Sequence, residues 1–197
     1  MYTIYILDIL RRDYLMDKFT LIQEESALIV IDIQERLVPA MPTSQKVIQN
    51  TNTLLSVSNK LGISAIITEQ YPKGLGKTVP EIHYNINEVS VYEKITFSGC
   101  NDKVINTLEQ SGKKKIIITG METHVCVFQT VRDLLARNYQ VFVVGDAVCS
   151  RTKENYLNGL SQMSAMGAVV SNTETVLFDL LKMAGTQLFR ELSKLIK

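Results

Sequence analysis

Four short aliphatic runs mark the chain: ALIVIDI (27–33), ISAIITE (63–69), KKIIITGM (114–121) and QVFVVGDA (140–147). Each shows little apolar–polar alternation, the pattern of a strand covered on both faces. Two weaker runs, VSVYEK (89–94) and AVVSNTETV (168–176), extend the set. The stretches between them change period. Val47, Ile48, Leu54, Leu55 and Leu61 predict one helix, and Val104, Ile105 and Leu108 a second. Val127, Val131, Leu134 and Leu135 fall at i, i+4, i+7 and i+8, and Tyr156, Leu157, Leu160 and Met163 continue the theme. Strand alternating with helix predicts an α/β fold: an open, mostly parallel sheet with helices on both faces.

No repeat, low-complexity tract or linker divides the chain, and its 197 residues, 46% apolar, can bury a single-domain core. Residues 1–15 read as a variable N-terminal extension, with a short docking helix as the alternative, and residues 16–197 as the domain. The apolar run from Tyr2 to Leu10 carries its arginines after it, unlike a secretory signal, and is too short for a membrane span. Charge is balanced, 21 basic against 20 acidic side chains, so neither a nucleic-acid footprint nor a polybasic membrane patch is expected. Cys100, Cys126 and Cys149 are odd in number and irregular in spacing, which points to reduced thiols and a cytoplasmic location.

In open parallel sheets, ligands bind at the carboxyl ends of the strands, and three polar residues there carry possible chemistry. Asp32 follows five aliphatic residues, where a carboxylate is costly unless capped, paired or used. Lys94 ends VYEK, where a solvated edge lysine is the ordinary reading. Cys126 sits at a strand-to-helix turn, where free N–H groups and the helix dipole favour a thiolate. Cys100 and Cys149 read as buried structural thiols. Gln34, Gln70, Tyr71 and Phe97 flank strand ends and are candidates to line a pocket. Asp146 is expected to cap the turn into 150–166, and His124 to pack or hydrogen-bond rather than act as a base. The C-terminal segment, with Leu177, Leu180, Leu181, Phe189, Leu192 and Leu195, suits a mixture of core cover and subunit interface.

At these positions the sequence resembles the isochorismatase-like cysteine hydrolase family: IVIDIQ with its aspartate, EKITFS with its lysine, TGMETHVCV with its cysteine, then GDAVCSR. The likeness runs from about residue 19 to the C-terminus, and TEQYPKGLGKTVPEI (68–82) is most similar to YcaC-like hydrolases of unassigned substrate. The resemblance implies a catalytic triad of Asp32, Lys94 and Cys126. It also implies a cis peptide at Met121–Glu122, and an oxyanion hole formed by the backbone N–H groups of Glu122 and Cys126. Thiol chemistry on a small-molecule amide or related C–N bond follows, in a homo-oligomer.

The nicotinamidases of this family carry an aspartate–histidine metal site, whereas this chain has only His83 and His124 and no D-x-H. No metal and no cofactor are therefore expected. Isochorismatases proper do not depend on the cysteine, so an intact triad argues for a different substrate. The rival readings are an idle oligomeric scaffold of the same fold and a nucleotide-binding sheet. The second lacks any phosphate-cradling glycine loop.

Overall fold

A computed structural model describes residues 17–83 and 89–196, in which the six runs form one sheet. The strands are β1 (Ser26–Ile31), β2 (Ser64–Gln70), β3 (Val89–Lys94), β4 (Lys115–Met121), β5 (Gln140–Cys149) and β6 (Val169–Ser171). Their order is β3-β2-β1-β4-β5-β6, and every neighbouring pair is parallel. The chain thus builds outward from β1 to one edge, returns to β4 and builds to the other. The reversal falls between β1 and β4, the place at which open parallel sheets offer ligands the carboxyl ends of their strands.

Alternate residues of each central strand feed two separate cores. Leu28, Val30 and Ile117 point to one layer, where Val47 and Leu54 of α1 (Ser44–Leu61) and Leu177 of α5 (Thr173–Leu181) cover them. Ile29, Ile31, Ile116 and Ile118 point to the other, under α2 (Asp102–Ser111), α3 (Phe128–Ala136) and α4 (Lys153–Ala165). This double cover is why the strands read as unbroken aliphatic runs. A sixth helix, α6 (Gln187–Leu192), closes on the first core through Leu192.

Two expectations need correction. The run 168–176 is not one strand: β6 stops at Ser171, and the Asn172 side chain accepts a hydrogen bond from the Thr175 N–H, so α5 begins at Thr173. A strong N-cap followed by Glu174 outweighs the β-branched residues around it. Asp146 does not cap the turn after β5. Its Oδ1 accepts from the Thr173 N–H at 2.8 Å and the Thr173 hydroxyl at 2.9 Å, tying β5 to the start of α5. Between β2 and β3, Pro72–Leu75 makes a helical turn and Thr78 bridges to Gln34, in a stretch that is otherwise irregular where described. The rest of that stretch, like the N-terminal extension, reaches residues outside those described.

β5 runs to Cys149 but leaves β4 for part of its length. Ile118 faces Val143 while Gly120 faces Val148, so Val144–Ala147 lift away, and Val144 pairs with Ser171 instead. Gly120 makes the β1–β4 approach possible. Its φ is +117°, and a Cβ there would collide with the Ile31 backbone.

Candidate active site

Asp32 is the first residue beyond β1. Its φ of +52° swings the chain out of the strand, while its N–H still donates to Thr68 O at 3.1 Å. The carboxylate is fully buried and doubly held: Oδ1 accepts from the Thr68 hydroxyl at 2.7 Å, Oδ2 from Lys94 Nζ at 2.7 Å. Lys94 ends β3 opposite Gln70. Its ammonium also donates to Gln70 Oε1 at 2.7 Å and lies 3.0 Å from Phe97 O and 3.2 Å from Thr96 O. A lysine this deep is tolerable because its protons all find oxygen.

Cys126 is carried by a π-helical turn, Thr123–Val127, that leads directly into α3. The Cys126 carbonyl accepts from the Thr130 hydroxyl at 2.6 Å, and that hydroxyl accepts from the Gly99 N–H at 2.8 Å. Gly159 of α4 lies against the same turn, where a Cβ would stand 3.0 Å from Thr123 O and 3.1 Å from the His124 backbone. The turn that carries Cys126 is thus clamped from β3's loop, α3 and α4. The Met121–Glu122 peptide is cis.

The Cys126 thiol lies close enough to Asp32 and Lys94 for each to shift its pKa, so the three side chains form one electrostatic cluster. Burial raises the Asp32 pKa. The charge of Lys94 opposes that rise, with hydrogen bonds from Lys94, Thr68 and the Cys126 thiol adding to the opposition. The Cys126 thiol is pushed up to about 12, first by burial and then by the Asp32 charge, with Lys94 acting against both. The expectation of a resting thiolate is therefore corrected. Desolvation and a neighbouring carboxylate outweigh the helix terminus and the lysine, and the thiol holds its proton beside an acceptor.

The other expected residues divide. Gln34 is fully buried: its amide donates to Gln70 O and Gly76 O, and accepts from the Gln70 N–H, which locks the loops after β1 and β2. Gln70 positions Lys94 and donates to Ile95 O at 2.7 Å. Tyr71 and Phe97 are more than half exposed at the rim, beside the 84%-exposed Ile95. His124 hydrogen-bonds Ser150 through Nδ1 at 3.0 Å. Thr68 and Thr130 were not singled out from the sequence. Thr68 is readable only once its register with β1 places it beside Asp32, whereas Thr130 stood four residues after Cys126, one helical turn on. Among the described residues no group of His, Cys, Asp and Glu could hold a metal ion. A surface hollow of about 730 Å³ lies away from the cluster, between α1, Pro80 and Leu195.

The isochorismatase domain model matches residues 26–175, which spans β1, β3, β4 and the cluster. The chain belongs to the isochorismatase family. Within it, the protein is 36% identical over 182 residues to isochorismatase family protein 1B of Dictyostelium discoideum, covering 90% of this chain and 88% of that one. It is 39% identical over 185 residues to the secreted isochorismatase effector Isc1 of Phytophthora sojae, covering 90% and 87%. Among solved structures, MAR1 ribonuclease of Caenorhabditis elegans superposes with a TM-score of 0.84 at 35% identity, covering 90% of this chain and 92% of that one. The octameric YcaC hydrolase of Escherichia coli shares the fold, with a TM-score of 0.81 at 22% identity over 89% and 90%. Among the described residues no helix is long and apolar enough to cross a membrane.

Proposed function

We propose that this isochorismatase-family chain is a cysteine hydrolase of a small-molecule amide or related C–N bond. The observation that carries the reading is the buried cluster itself. An acid/base, a cation and a thiol arrive from three separate strand ends: the first two are paired at 2.7 Å, and both act on the charge state of the third. Asp32, its pKa raised, accepts the thiol proton as sulfur attacks the carbonyl carbon, so charged sulfur never has to persist. Lys94 holds the carboxylate in place and stabilises the transient thiolate. The oxyanion is received by the backbone N–H groups of Glu122 and Cys126. No hydrogen bond from the Glu122 N–H is seen among the described residues, which leaves that donor open. Protonated Asp32 gives its proton to the departing amine, leaving a thioester. Water then yields a proton to Asp32 and attacks, and the tetrahedral intermediate collapses to a carboxylic acid and the thiol.

The likeness to a protein named a ribonuclease raises a second reading. Asp32 and Lys94 are wholly enclosed and Cys126 is 6% exposed, an enclosure that favours a small acyl group over a phosphodiester flanked by two riboses. Nicotinamidase and isochorismatase activities rank below the amidase reading for want of a metal-ligand set and because the thiol is kept in the cluster. A homo-oligomer is supported by the octameric YcaC neighbour and by the apolar rim of Tyr71, Ile95 and Phe97. Three unpaired cysteines support a reducing, cytoplasmic setting.

The test is direct. The protein is mixed with a library of small amides, quenched in acid and digested, and the Cys126 peptide is weighed. An acyl adduct is expected with the wild type, more of it with slow-leaving esters, and none with Cys126→Ala. RNA cleavage that survives Cys126→Ala, with no acyl adduct from any amide, would replace this reading.

A further inference from the structure

A second cavity, of about 410 Å³, is lined by the first turns of α1 and α4 and by the lifted part of β5, and by none of Asp32, Lys94 and Cys126. Its walls combine an apolar body with a cationic mouth. Val47, Val148 and the half-buried Tyr156 supply the first, and Lys46, Arg151 and Lys153 the second. Asp146 is the one carboxylate in the lining, so three cations face one acid.

The placement of those cations is what points to a ligand. Lys46 is the third residue of α1 and Lys153 the first of α4, each at the helix end whose dipole is already positive. The first turn of α1 contains no acidic residue to offset this, and that of α4 contains only Glu154. Two helix ends and two lysines of like sign therefore add their potentials over one hollow. Arg151 contributes a third: its Nε pairs with Glu122 Oε2 at 3.1 Å, and its terminal nitrogens have no partner among the described residues. Such a grouping is unfavourable when empty and favourable around an anion.

We propose that this cavity binds a small organic dianion, a phosphate-like head on a compact apolar body, at a site separate from the Cys126 cluster. The head lies between Lys46, Arg151 and Lys153, and the body lies on Tyr156, Val47 and Val148. Two contacts tie the floor of the site to the nucleophile turn: Arg151 to Glu122, and Ser150 to His124. A bound head competes with Glu122 for Arg151, so occupancy is felt at a residue of the cis peptide itself.

Phenyl phosphate is the probe. It is titrated into the full-length protein at low salt, followed by backbone amide shifts. Saturable shifts are expected at residues 44–47 and 150–156. Lys46→Gln and Lys153→Gln, both exposed side chains outside the cores, each weaken binding roughly fivefold, the weight of one exposed ion pair. Benzyl alcohol, with the same ring and no charge, gives no saturable shift in that range. Carbamidomethylation of Cys126 leaves binding intact. The proposal is overturned by absence of saturation, by equal binding of benzyl alcohol, by indifference to both lysine substitutions, or by loss of binding when Cys126 is blocked. The last outcome would place the anion in the catalytic hollow instead.

Discussion

Replacing Lys94 with methionine tests the physical claim on which the site depends. Methionine fills most of the lysine stem's volume, so packing changes little and the charge is what disappears. Four oxygens lose their donor: Asp32 Oδ2, Gln70 Oε1, Phe97 O and Thr96 O. The decisive loss is Asp32, whose side chain is fully enclosed and keeps the Thr68 hydroxyl as its remaining side-chain donor among the described residues. Removing one partner of a buried pair typically costs about 3–5 kcal/mol. For a domain of this size that lowers the thermal midpoint by roughly 6–20 °C.

The pH dependence supplies a sharper reading. Burial already raises the Asp32 pKa in the folded protein, and Lys94 is the largest influence holding it down. Without Lys94 it climbs further. An acid whose folded pKa exceeds its unfolded value contributes stability that is complete below the unfolded pKa and is lost as pH rises through the folded one. Lys94→Met should therefore lose more stability near pH 8 than near pH 5 relative to wild type, by urea unfolding monitored at both. Adding Asp32→Asn removes the stranded charge and should recover most of the loss, because the amide needs no counter-ion. A variant as stable as wild type at both pH values, or a double variant less stable than Lys94→Met, would show that the pair does not hold this carboxylate.

Three further outcomes follow from the same geometry. Gly120→Ala forces a methyl group into the Ile31 backbone at a positive φ, so it should cost on the order of 3 kcal/mol or more in urea unfolding. Thr130→Val strands the Gly99 N–H and removes the hydroxyl bond to the Cys126 carbonyl, which should cost about 1–3 kcal/mol in urea unfolding and, on the proposed function, lower turnover by loosening the turn that carries Cys126. Because the Cys126 thiol is pushed up to about 12, its iodoacetamide alkylation should be slower at neutral pH than that of the urea-unfolded protein and should rise with pH throughout the alkaline range, read by peptide mass spectrometry. Rapid labelling below pH 7 would mean a resting thiolate and would overturn the coupled proton transfer.

The buried ion pair and the raised thiol pKa locate the boundary between what could be read from the chain and what could not. The local period of apolar residues determined β1, β2, β4, β5 and the helices after residues 44, 102, 128 and 153, because a strand covered on both faces and a one-sided helix leave different spacings in any sequence. The short motifs at strand ends placed Asp32, Lys94 and Cys126 on separate elements. Where local signals competed, as at 168–176, the Asn172 cap outweighed β propensity, a contest that runs of apolar residues do not reveal. Asp146 illustrates the remaining gap: its partner, Thr173, lies 27 residues downstream, and only the lifting of Val144–Ala147 from β4 brings them together. The thiol's state lay beyond the sequence for the same reason. Desolvation depends on everything that surrounds a group, and the enclosure of Cys126 is assembled from β1, β3, α3 and α4, which meet only when the chain has folded.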